Sequence, residues 1–446
     1  MSHVHIIGGG LSGLSAAVEL AAQAQVTIYE AGPACGGRAR SFHDRTLDTL
    51  IDNGNHLLLS ANGLTFRYLD ILGARHTLAG PGIPIFPYYD LAEDLAWTLR
   101  LSKGKVPFWA LPGGRRVPGM KLSELASLGR FLKADDTTVV EECLKPGQLS
   151  RRLLEPFAIS VLNTDLHTGS ALLLGNVIRK SLAQGGMACC PWFPKIGLSE
   201  TLVDPAISYL NRYHATVRTG VRVSTIIREN GCAPAIETTE GRIEFGPEDH
   251  VIVATPAPVT QNLVPELVVP DAFESIANAH FKLAAPVEAR GVVAQAGFVG
   301  LVGGISEWIF LKGDVLSVTV SAANRYADRD SNEMLATIWS EIRRALDPIL
   351  PQPLPVAMPP ARLLREKRAT FAATPEQNRR RPQAKTDTAN MALAGDWTDT
   401  GLPSTISGAI QYGPAAGSAL GFRPALQNTG TRGVPSIPWL LHNSPS

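Results

Sequence analysis

The chain has 446 residues, of which 45% are hydrophobic and 18% charged, a composition that supports a sizeable core and excludes wholesale disorder. Its 41 Lys and Arg residues balance 40 Asp and Glu residues, and the net charge of +1 argues against a nucleic-acid-binding protein. The same balance gives no electrostatic attraction to an anionic membrane. The length predicts two or three domains.

Cysteine usage and hydropathy indicate the compartment. The five cysteines form no C-x-x-C pair, and the spacing of Cys and His matches no zinc site. We therefore expect free thiols in a reducing cytosol and no metal. The N-terminus has no basic region of a secretory signal, and the longest uncharged stretch, residues 400–422, is broken by Pro403 and Pro414. These features predict a cytoplasmic protein without a transmembrane helix.

The first forty residues begin with a dinucleotide-binding pattern. Residues 4–7 predict a strand, residues 8–13 match G-x-G-x-x-G, residues 14–22 predict a helix, and residues 26–30 predict a second strand ending in an acid. This strand–turn–helix–strand context is what distinguishes the fingerprint from a chance glycine cluster.

Each position of this pattern has a physical task. Gly8 permits the tight turn, Gly10 lets the backbone approach a pyrophosphate, and Gly13 lets helix and strand pack closely. The helix N-terminus presents free N–H groups to the phosphates. Glu30 accepts hydrogen bonds from ribose hydroxyls and would repel the 2′-phosphate of NADP. The predicted cofactor-binding residues of this segment are Gly8, Gly10, Leu11, Ser12, Gly13 and Glu30.

A second glycine turn follows Glu30 after five residues, as Gly36-Gly37-Arg38. This arrangement resembles the amine-oxidase and phytoene-desaturase class of flavoproteins. The resemblance implies non-covalent FAD, with Gly37 and Arg38 beside its pyrophosphate. A guanidinium matches a phosphate in bidentate geometry, which agrees with that role. The alternative is a surface turn with solvated arginines.

Two later segments resemble further FAD-binding parts of that class. Residues 215–227 alternate polar and apolar side chains as a strand does, and the resemblance implies that Val223 contacts the adenine through its backbone. Ordinary β-sheet core is the alternative for Val223. The run at 251–256 is similar to the strand that returns the chain to the substrate domain.

The C-terminal segment combines a strand and a helix start. Residues 391–396 form an apolar run ending in Gly395-Asp396, and residues from 405 open a helix of small side chains. The resemblance implies that Gly395 and Asp396 contact the ribityl–pyrophosphate region. It also implies that Thr405 and Ile406, at the helix start, face the flavin. This segment holds no cysteine, which disfavours a covalent flavin.

The predicted fold class is α/β, with a Rossmann-like FAD-binding domain on a parallel sheet and a second α+β substrate-binding domain. Both domains are expected to be discontinuous. The FAD domain is assigned to 1–75, 195–262 and 386–425, the substrate domain to 76–194 and 263–385, and a C-terminal tail rich in Pro, Ser and Gly to 426–446.

Four further motifs narrow the resemblance, at residues 50–56, 161–164, 366–376 and 394–403. Together they resemble the squalene-associated FAD-dependent desaturases, the hydroxysqualene dehydroxylases, over residues 4–420. Two positions depart from the pattern of that family. The family usually has Gln where this chain has Asn55, and Glu where this chain has Ser407. The loss of an acid next to the flavin-facing helix start could alter the flavin potential or a proton relay.

The reaction implied by this resemblance is the reductive dehydroxylation of hydroxysqualene to squalene in hopanoid biosynthesis. An allylic hydroxyl is protonated and leaves as water, and hydride from reduced flavin quenches the cation. The site must supply a dry apolar tunnel for a C30 isoprenoid chain and one proton source. An external donor, NAD(P)H or a redox protein, must reduce the flavin.

Three side chains are candidates for the catalytic site. His56 is the predicted proton source, because its unperturbed pKa lies near neutrality. Alternatively, it offers only its backbone to the flavin, and its ring orients Asp52 or lines the wall. Asp52 orients His56 or bonds the backbone of its own turn. Asn163 holds the substrate hydroxyl or a water, unless it caps a helix. Asn55 belongs to the same predicted flavin-contacting loop as His56.

Two aromatic, proline-broken segments, residues 83–89 and 106–112, are candidates for the tunnel and for entry into the lipid interface. Buried core is the alternative for both. The expected location is therefore cytoplasmic and peripheral at a membrane surface. The basic turn at 377–382 is expected to be solvated. Other possible functions on this fold are a carotene-type desaturase, an amine oxidase, or a non-catalytic FAD- or lipid-binding protein.

Overall fold

A computed structural model describes residues 2–111, 113 and 116–424; the predicted tail at 426–446 lies outside the described residues. Its first layer is a five-stranded sheet in which all strands are parallel. The strand order across this sheet is Thr216–Thr219, Gln25–Glu30, His3–Ile7, His250–Val253 and Met391–Leu393. These strands come from all three segments assigned to the FAD domain.

A second, seven-stranded sheet is mostly antiparallel. Its order is Ala361–Phe371, Phe273–Lys282, Val315–Val320, Trp308–Lys312, Phe298–Val302, Ile85–Asp90 and Leu95–Arg100. All seven strands lie within the ranges assigned to the substrate domain. The smaller sheets contain Ser41–Asp44 with Thr49–Asp52, Val223–Glu229 with Cys232–Thr238 and Gly241–Glu244, and Leu58–Leu59, Pro191–Pro194 and Leu78–Ala79.

Helices cover the sheets. The α-helices are Leu11–Leu20, Gly63–Leu72, Ala126–Phe131, Val140–Cys143, Glu155–Leu162, Ala171–Lys180, Asp204–Arg212, Ala257–Leu263, Gly291–Ala296, Ser331–Leu346, Pro375–Arg379 and Ile406–Ala419. Two π-helical turns, Ser150–Leu154 and Ser199–Val203, each run directly into the next α-helix. Among the helices of the described residues, none combines the length and hydropathy needed to cross a bilayer.

The first and last long helices lie against each other beside the parallel sheet. In this contact the Ser15 hydroxyl donates to the Ile410 carbonyl oxygen at 2.8 Å. Gly413 makes the approach possible, since a Cβ there would lie 2.5 Å from the Ala16 nitrogen. The N-terminal and C-terminal segments therefore share one core, which includes Leu14, Val18, Ile406, Ile410 and Ala416.

Two expectations about surface segments are corrected. Residues 84–90 are buried, and most of them form the strand Ile85–Asp90, so the segment 83–89 is core and not a lipid-facing loop. In the basic turn, Arg381 is buried and not solvated. It lies over the Phe371 ring and donates to the Thr400 hydroxyl, which ties the turn to the loop that follows Asp396.

Candidate active site

The glycine fingerprint forms a tight turn at the carboxyl end of His3–Ile7. Gly8 has φ +108°, and a Cβ there would lie 2.6 Å from the Ala254 carbonyl oxygen. A Cβ on Gly13 would overlap the Gly8 carbonyl oxygen, so helix and strand approach as the pattern requires. Gly10 is the N-cap of Leu11–Leu20, and it provides no side-chain cap. The first-turn N–H groups, at Leu11 and Ser12, therefore face a cavity that both residues line.

Glu30 lies at the end of the neighbouring strand and lines the same cavity. Its two carboxylate oxygens accept hydrogen bonds from the backbone N–H groups of Gly9 and Gly32, each at 2.7 Å. A carboxylate has about four acceptor positions, so two remain for ribose hydroxyls. Val223, which also lines the cavity, is nearly buried at the start of its strand.

The second glycine turn lies directly against the first. The Gly36 N–H donates to the Gly9 carbonyl oxygen at 2.8 Å, and Gly37 has φ +57°. Arg38 then reaches Asp396, with its Nη2 atom 2.6 Å from Oδ1. Two residues 358 positions apart in sequence are thus brought together beside the glycine turns. The Arg38 guanidinium is thus ion-paired with Asp396, while its side chain stays 38% exposed.

The helix Ile406–Ala419 points its N-terminus into the same cavity. Thr405 is its N-cap, and the Thr405 hydroxyl oxygen accepts from the Gly408 N–H at 3.0 Å. Gly395, Thr405 and Ile406 all line the cavity. Ser407 lies 2.9 Å from the Thr65 hydroxyl, so a neutral pair occupies the position where an acid was expected from the family pattern.

The cavity is continuous and has a volume of about 2940 Å³. Pockets for one drug-sized ligand have roughly 300–1,000 Å³, so this one has room for a dinucleotide and a long substrate together. Away from the glycine turns its walls are apolar and aromatic. They include Phe86, Tyr88, Leu99, Leu101, Trp109, Leu153, Leu154, Phe157, Trp308 and Phe310.

The loop after Asp52 contributes polar groups to the cavity. The Asn55 side-chain nitrogen donates to the Ser317 hydroxyl at 2.8 Å, whereas its buried Oδ1 has no protein partner. The Ser404 hydroxyl is also buried without a partner and lines the cavity. Buried polar atoms normally have partners, so these two fit a polar ligand in the cavity. Together with the uncapped helix and the two glycine turns, they fit FAD.

His56 lines the cavity, as predicted. Burial lowers the pKa of its imidazole to about 4; the Asp52 charge opposes this shift, and the charges of Lys312 and Arg38 reinforce it. The ring is therefore neutral at neutral pH and holds no readily transferable proton. The neutral state disfavours His56 as the proton source. It favours the alternatives in which His56 lines the cavity wall or contacts the flavin.

Asp52 is buried in a network of protein groups. Its Oδ2 atom pairs with the Lys312 ammonium at 2.7 Å, and its Oδ1 atom accepts from the Ser41 hydroxyl and from the Leu198 N–H. Asp52 is absent from the residues that line the cavity. These partners give Asp52 a structural role that sequence analysis did not consider. The Asp52 carboxylate is held by these three groups and not by His56.

Asn163 ends the helix Glu155–Leu162 in the left-handed conformation, with φ +50°. Its Oδ1 atom accepts from the Ala322 N–H at 2.6 Å, and its Nδ2 atom donates to the Thr370 hydroxyl at 2.9 Å. The N-cap alternative is wrong, because Ser170 caps the next helix. Asn163 lines the cavity, but two of its hydrogen bonds are already made within the protein.

Sequence analysis missed Glu307, which ends the loop before the strand Trp308–Lys312. Its carboxylate lies 3.4 Å from the hydroxyl of Ser160, a cavity-lining residue. Burial raises the pKa of Glu307 to about 7, against the lowering effects of hydrogen bonds from Ser321 and the charge of Arg325. No local motif surrounds this acid, since its partners come from distant segments.

His3, His5 and Asp249 form a polar cluster at the opposite end of the parallel sheet. One potential metal-ligand atom from each lies within 4.8 Å of the others. The His5 Nδ1 atom pairs with the Tyr29 hydroxyl at 3.0 Å, and Asp249 accepts from the His3 backbone N–H. No metal was predicted here, and these protein hydrogen bonds already engage much of the cluster.

The family model for flavin-containing amine oxidoreductases matches residues 11–418 of the chain. The hydroxysqualene dehydroxylase of Zymomonas mobilis is 40% identical over 93% of this chain and 98% of its own length. That of Sinorhizobium fredii is 39% identical over 93% and 97%. An oxidoreductase structure from Methanosarcina mazei superposes with a TM-score of 0.62, at 14% identity, over 92% of this chain and 98% of its own.

The fold and the cofactor site thus define the class. The chain belongs to the flavin-containing amine oxidoreductases, and it is an FAD-dependent oxidoreductase with a Rossmann-like domain and a second, mixed domain. Within that class, the identity over nearly the full length of the relatives places the chain in the hydroxysqualene dehydroxylase family.

Proposed function

We propose that this flavoenzyme converts hydroxysqualene to squalene by reductive dehydroxylation. The observation that carries the proposal is the continuity of the cavity, in which apolar walls run on from the two glycine turns. A C30 isoprenoid chain would lie along those walls with its allylic hydroxyl near the flavin position.

The chemistry divides between cofactor and protein. FAD, when reduced, supplies the hydride. The protein excludes water through residues such as Phe86, Leu154 and Phe157, which protects a carbocation from capture by solvent. The aromatic rings of Tyr88 and Trp308, which line the cavity, would stabilise positive charge on the substrate by cation–π attraction.

We assign the FAD-binding roles to the residues that the cavity brings together. The N–H groups at Gly10, Leu11 and Ser12 and the Arg38 guanidinium bind phosphates, and Glu30 binds the adenosine ribose. Asp396 and the helix start at Ile406 also line the cavity, and they would contact the ribityl chain and the flavin ring. We also propose that the boundaries between the FAD-binding domain and the substrate domain lie at residues 75, 195, 262 and 386.

The test is anaerobic single turnover. Purified enzyme with chemically reduced flavin is mixed with hydroxysqualene, and the return of oxidised-flavin absorbance and the formation of squalene are followed. Phytoene and amines are offered to the oxidised enzyme in parallel. Flavin reduction by phytoene or an amine would instead make the enzyme a desaturase or amine oxidase, and bound FAD without any substrate response would indicate a non-catalytic protein.

The electron donor is a separate question with its own assay. We propose that NAD(P)H or a redox protein reduces the FAD from outside the chain. Stopped-flow reduction with NADH, NADPH and a reduced ferredoxin distinguishes these donors. If NADH or NADPH reduces the flavin within the turnover time, the electron donor is a nicotinamide nucleotide.

We also propose that the segment 106–112 contacts the bilayer in which the substrate dissolves. In the described part of this segment, Val106 is 56% exposed and Phe108 63% exposed, whereas Trp109 is buried and lines the cavity. Met187 is another exposed apolar side chain, and its N–H donates to the Lys103 carbonyl oxygen just before the segment. An apolar patch beside a cavity wall suits the transfer of a water-insoluble chain.

Liposome flotation tests this contact. Binding should survive high salt, because screening weakens ionic contacts but not apolar burial. Phe108→Asp should reduce the floated fraction several-fold and leave FAD binding unchanged. Val356→Asp, at a residue 80% exposed elsewhere on the surface, is the matched control and should float like the parent. Flotation that salt abolishes, or that both variants reduce equally, would contradict the assignment.

A further inference from the structure

Reductive dehydroxylation needs one proton at the departing hydroxyl, and the three residues predicted from the sequence do not supply it readily. His56 is neutral at neutral pH, and Asp52 is ion-paired with Lys312. Asn163 carries no acidic proton. The proton must therefore come from another group along the wall of the cavity.

Glu307, Ser160 and Trp308 form a connected group at that wall. The Trp308 indole N–H donates to the Ser160 hydroxyl oxygen at 3.0 Å, and the same hydroxyl lies 3.4 Å from the Glu307 Oε2 atom. Ser160, Trp308 and Ser321 all line the cavity. The carboxyl group is thus one hydroxyl away from the space assigned to the substrate.

We propose that Glu307 and Ser160 form a proton relay that releases the substrate hydroxyl as water, a role that rests on the proposed function. A serine hydroxyl has one proton to donate and two positions to accept. Trp308 occupies one acceptor position. A protonated Glu307 would occupy the other, so that the only hydroxyl proton of Ser160 is directed into the cavity. An ionised Glu307 would draw that proton back to itself.

The step balances in protons and electrons. Ser160 gives its proton to the substrate oxygen while it receives the Glu307 proton, and the carbon–oxygen bond breaks with both electrons leaving on water. The hydride that quenches the allylic cation would come from bound, reduced FAD. Glu307 is left ionised and recovers a proton from solvent before the next turnover.

The surroundings of Glu307 suit this exchange. Burial moves its pKa to about 7, so both protonation states are populated near neutral pH. The Arg325 charge and hydrogen bonds from Ser321 and Ser160 keep the ionised form accessible. An apolar substrate would displace water from the cavity and favour the neutral acid further.

Single-turnover oxidation of reduced flavin by hydroxysqualene, measured between about pH 5.5 and about pH 9, tests the relay. Because the acid form is active, the parent rate should fall as pH rises through the Glu307 pKa. In Glu307→Gln the rate should fall roughly 10²- to 10⁴-fold, and the decrease of the rate with rising pH should disappear. The FAD affinity and the flavin spectrum should stay unchanged. Ser160→Ala should also lose most of the rate, and it serves as a second variant if Glu307→Gln does not fold.

Glu274→Gln is the matched control, because burial also raises the pKa of Glu274, but this residue is not among those lining the cavity. It should keep the parent rate and pH profile. A Glu307→Gln enzyme within about threefold of the parent rate, with the same decrease at rising pH, would overturn the relay and leave the proposed function standing. If the parent itself fails to oxidise flavin with hydroxysqualene, the proposed function fails, and the relay fails with it.

Discussion

At the scale of single residues, burial acts in opposite directions on His56 and Glu307. A buried site disfavours charge, so it lowers the pKa of an imidazole and raises that of a carboxyl group. Both side chains are consequently driven toward their neutral forms beside one cavity. Only the neutral carboxyl group has a proton that it can release at neutral pH.

We therefore expect His56→Ala to bind FAD normally and to lose only a few-fold in the rate of flavin oxidation. The imidazole pKa of about 4 lies below the working range, so the charged form is present only at more acidic pH. The pH profile above about pH 5 should keep its shape. Stopped-flow absorbance on parent and variant measures this, and a loss of roughly 10²-fold or more would return His56 to the role of proton donor.

We expect Glu30 to support the cofactor in two ways, through its own acceptor oxygens and through the backbone it holds at Gly9 and Gly32. Glu30→Arg should weaken FAD about 10- to 100-fold or more, since hydrogen bonds to a charged group contribute about 1.5–3 kcal/mol. Glu30→Gln, which keeps the shape, should lose less. Fluorescence titration of the apoprotein with FAD gives both affinities. An unchanged affinity in Glu30→Arg would show that Glu30 does not bind the ribose.

At the scale of elements, we expect two glycines of the first glycine turn to differ in function: one matters for FAD binding and the other for folding. Gly10 has φ −71° and open space where a Cβ would lie, whereas a Cβ on Gly13 would overlap backbone. Gly10→Ala should therefore fold normally but bind FAD more weakly, because its methyl group projects toward the phosphate site. Gly13→Ala should lower the melting temperature of the apoprotein as well. Thermal unfolding of both variants, with and without FAD, checks this, and equal apoprotein stabilities would contradict it.

The elements that could be predicted from the sequence are those set by local patterns. The turn at Gly8–Gly13 and the helix start at Thr405 depend on neighbouring residues, and the structure confirms both. The Asp52–Lys312 pair and the Ser160–Glu307 contact join residues 260 and 147 positions apart, and no local pattern encodes them. The burial of residues 84–90 was likewise undecidable, because an apolar run fits both a core strand and an exposed loop.

At the scale of the whole molecule, the C-terminal segment completes the first domain. Met391–Leu393 is an edge strand of the parallel sheet, and Ile406–Ala419 packs on Leu11–Leu20. A chain ending at residue 385 should therefore be insoluble or unfolded, since the N-terminal core loses its covering helix. A chain ending at residue 424 keeps every described element and serves as the control. Circular dichroism and FAD binding distinguish them, and a folded, FAD-binding 385-residue fragment would refute the prediction.

The position of His3–Ile7 in the middle of the parallel sheet has a consequence for synthesis on the ribosome. One edge of this strand pairs with Gln25–Glu30 almost at once, but the other waits for His250–Val253. At roughly 5–20 residues per second, that wait lasts on the order of 10–50 s. A nascent chain thus carries an unpaired strand edge for tens of seconds, long enough for chaperones to engage it before the flavin site can form.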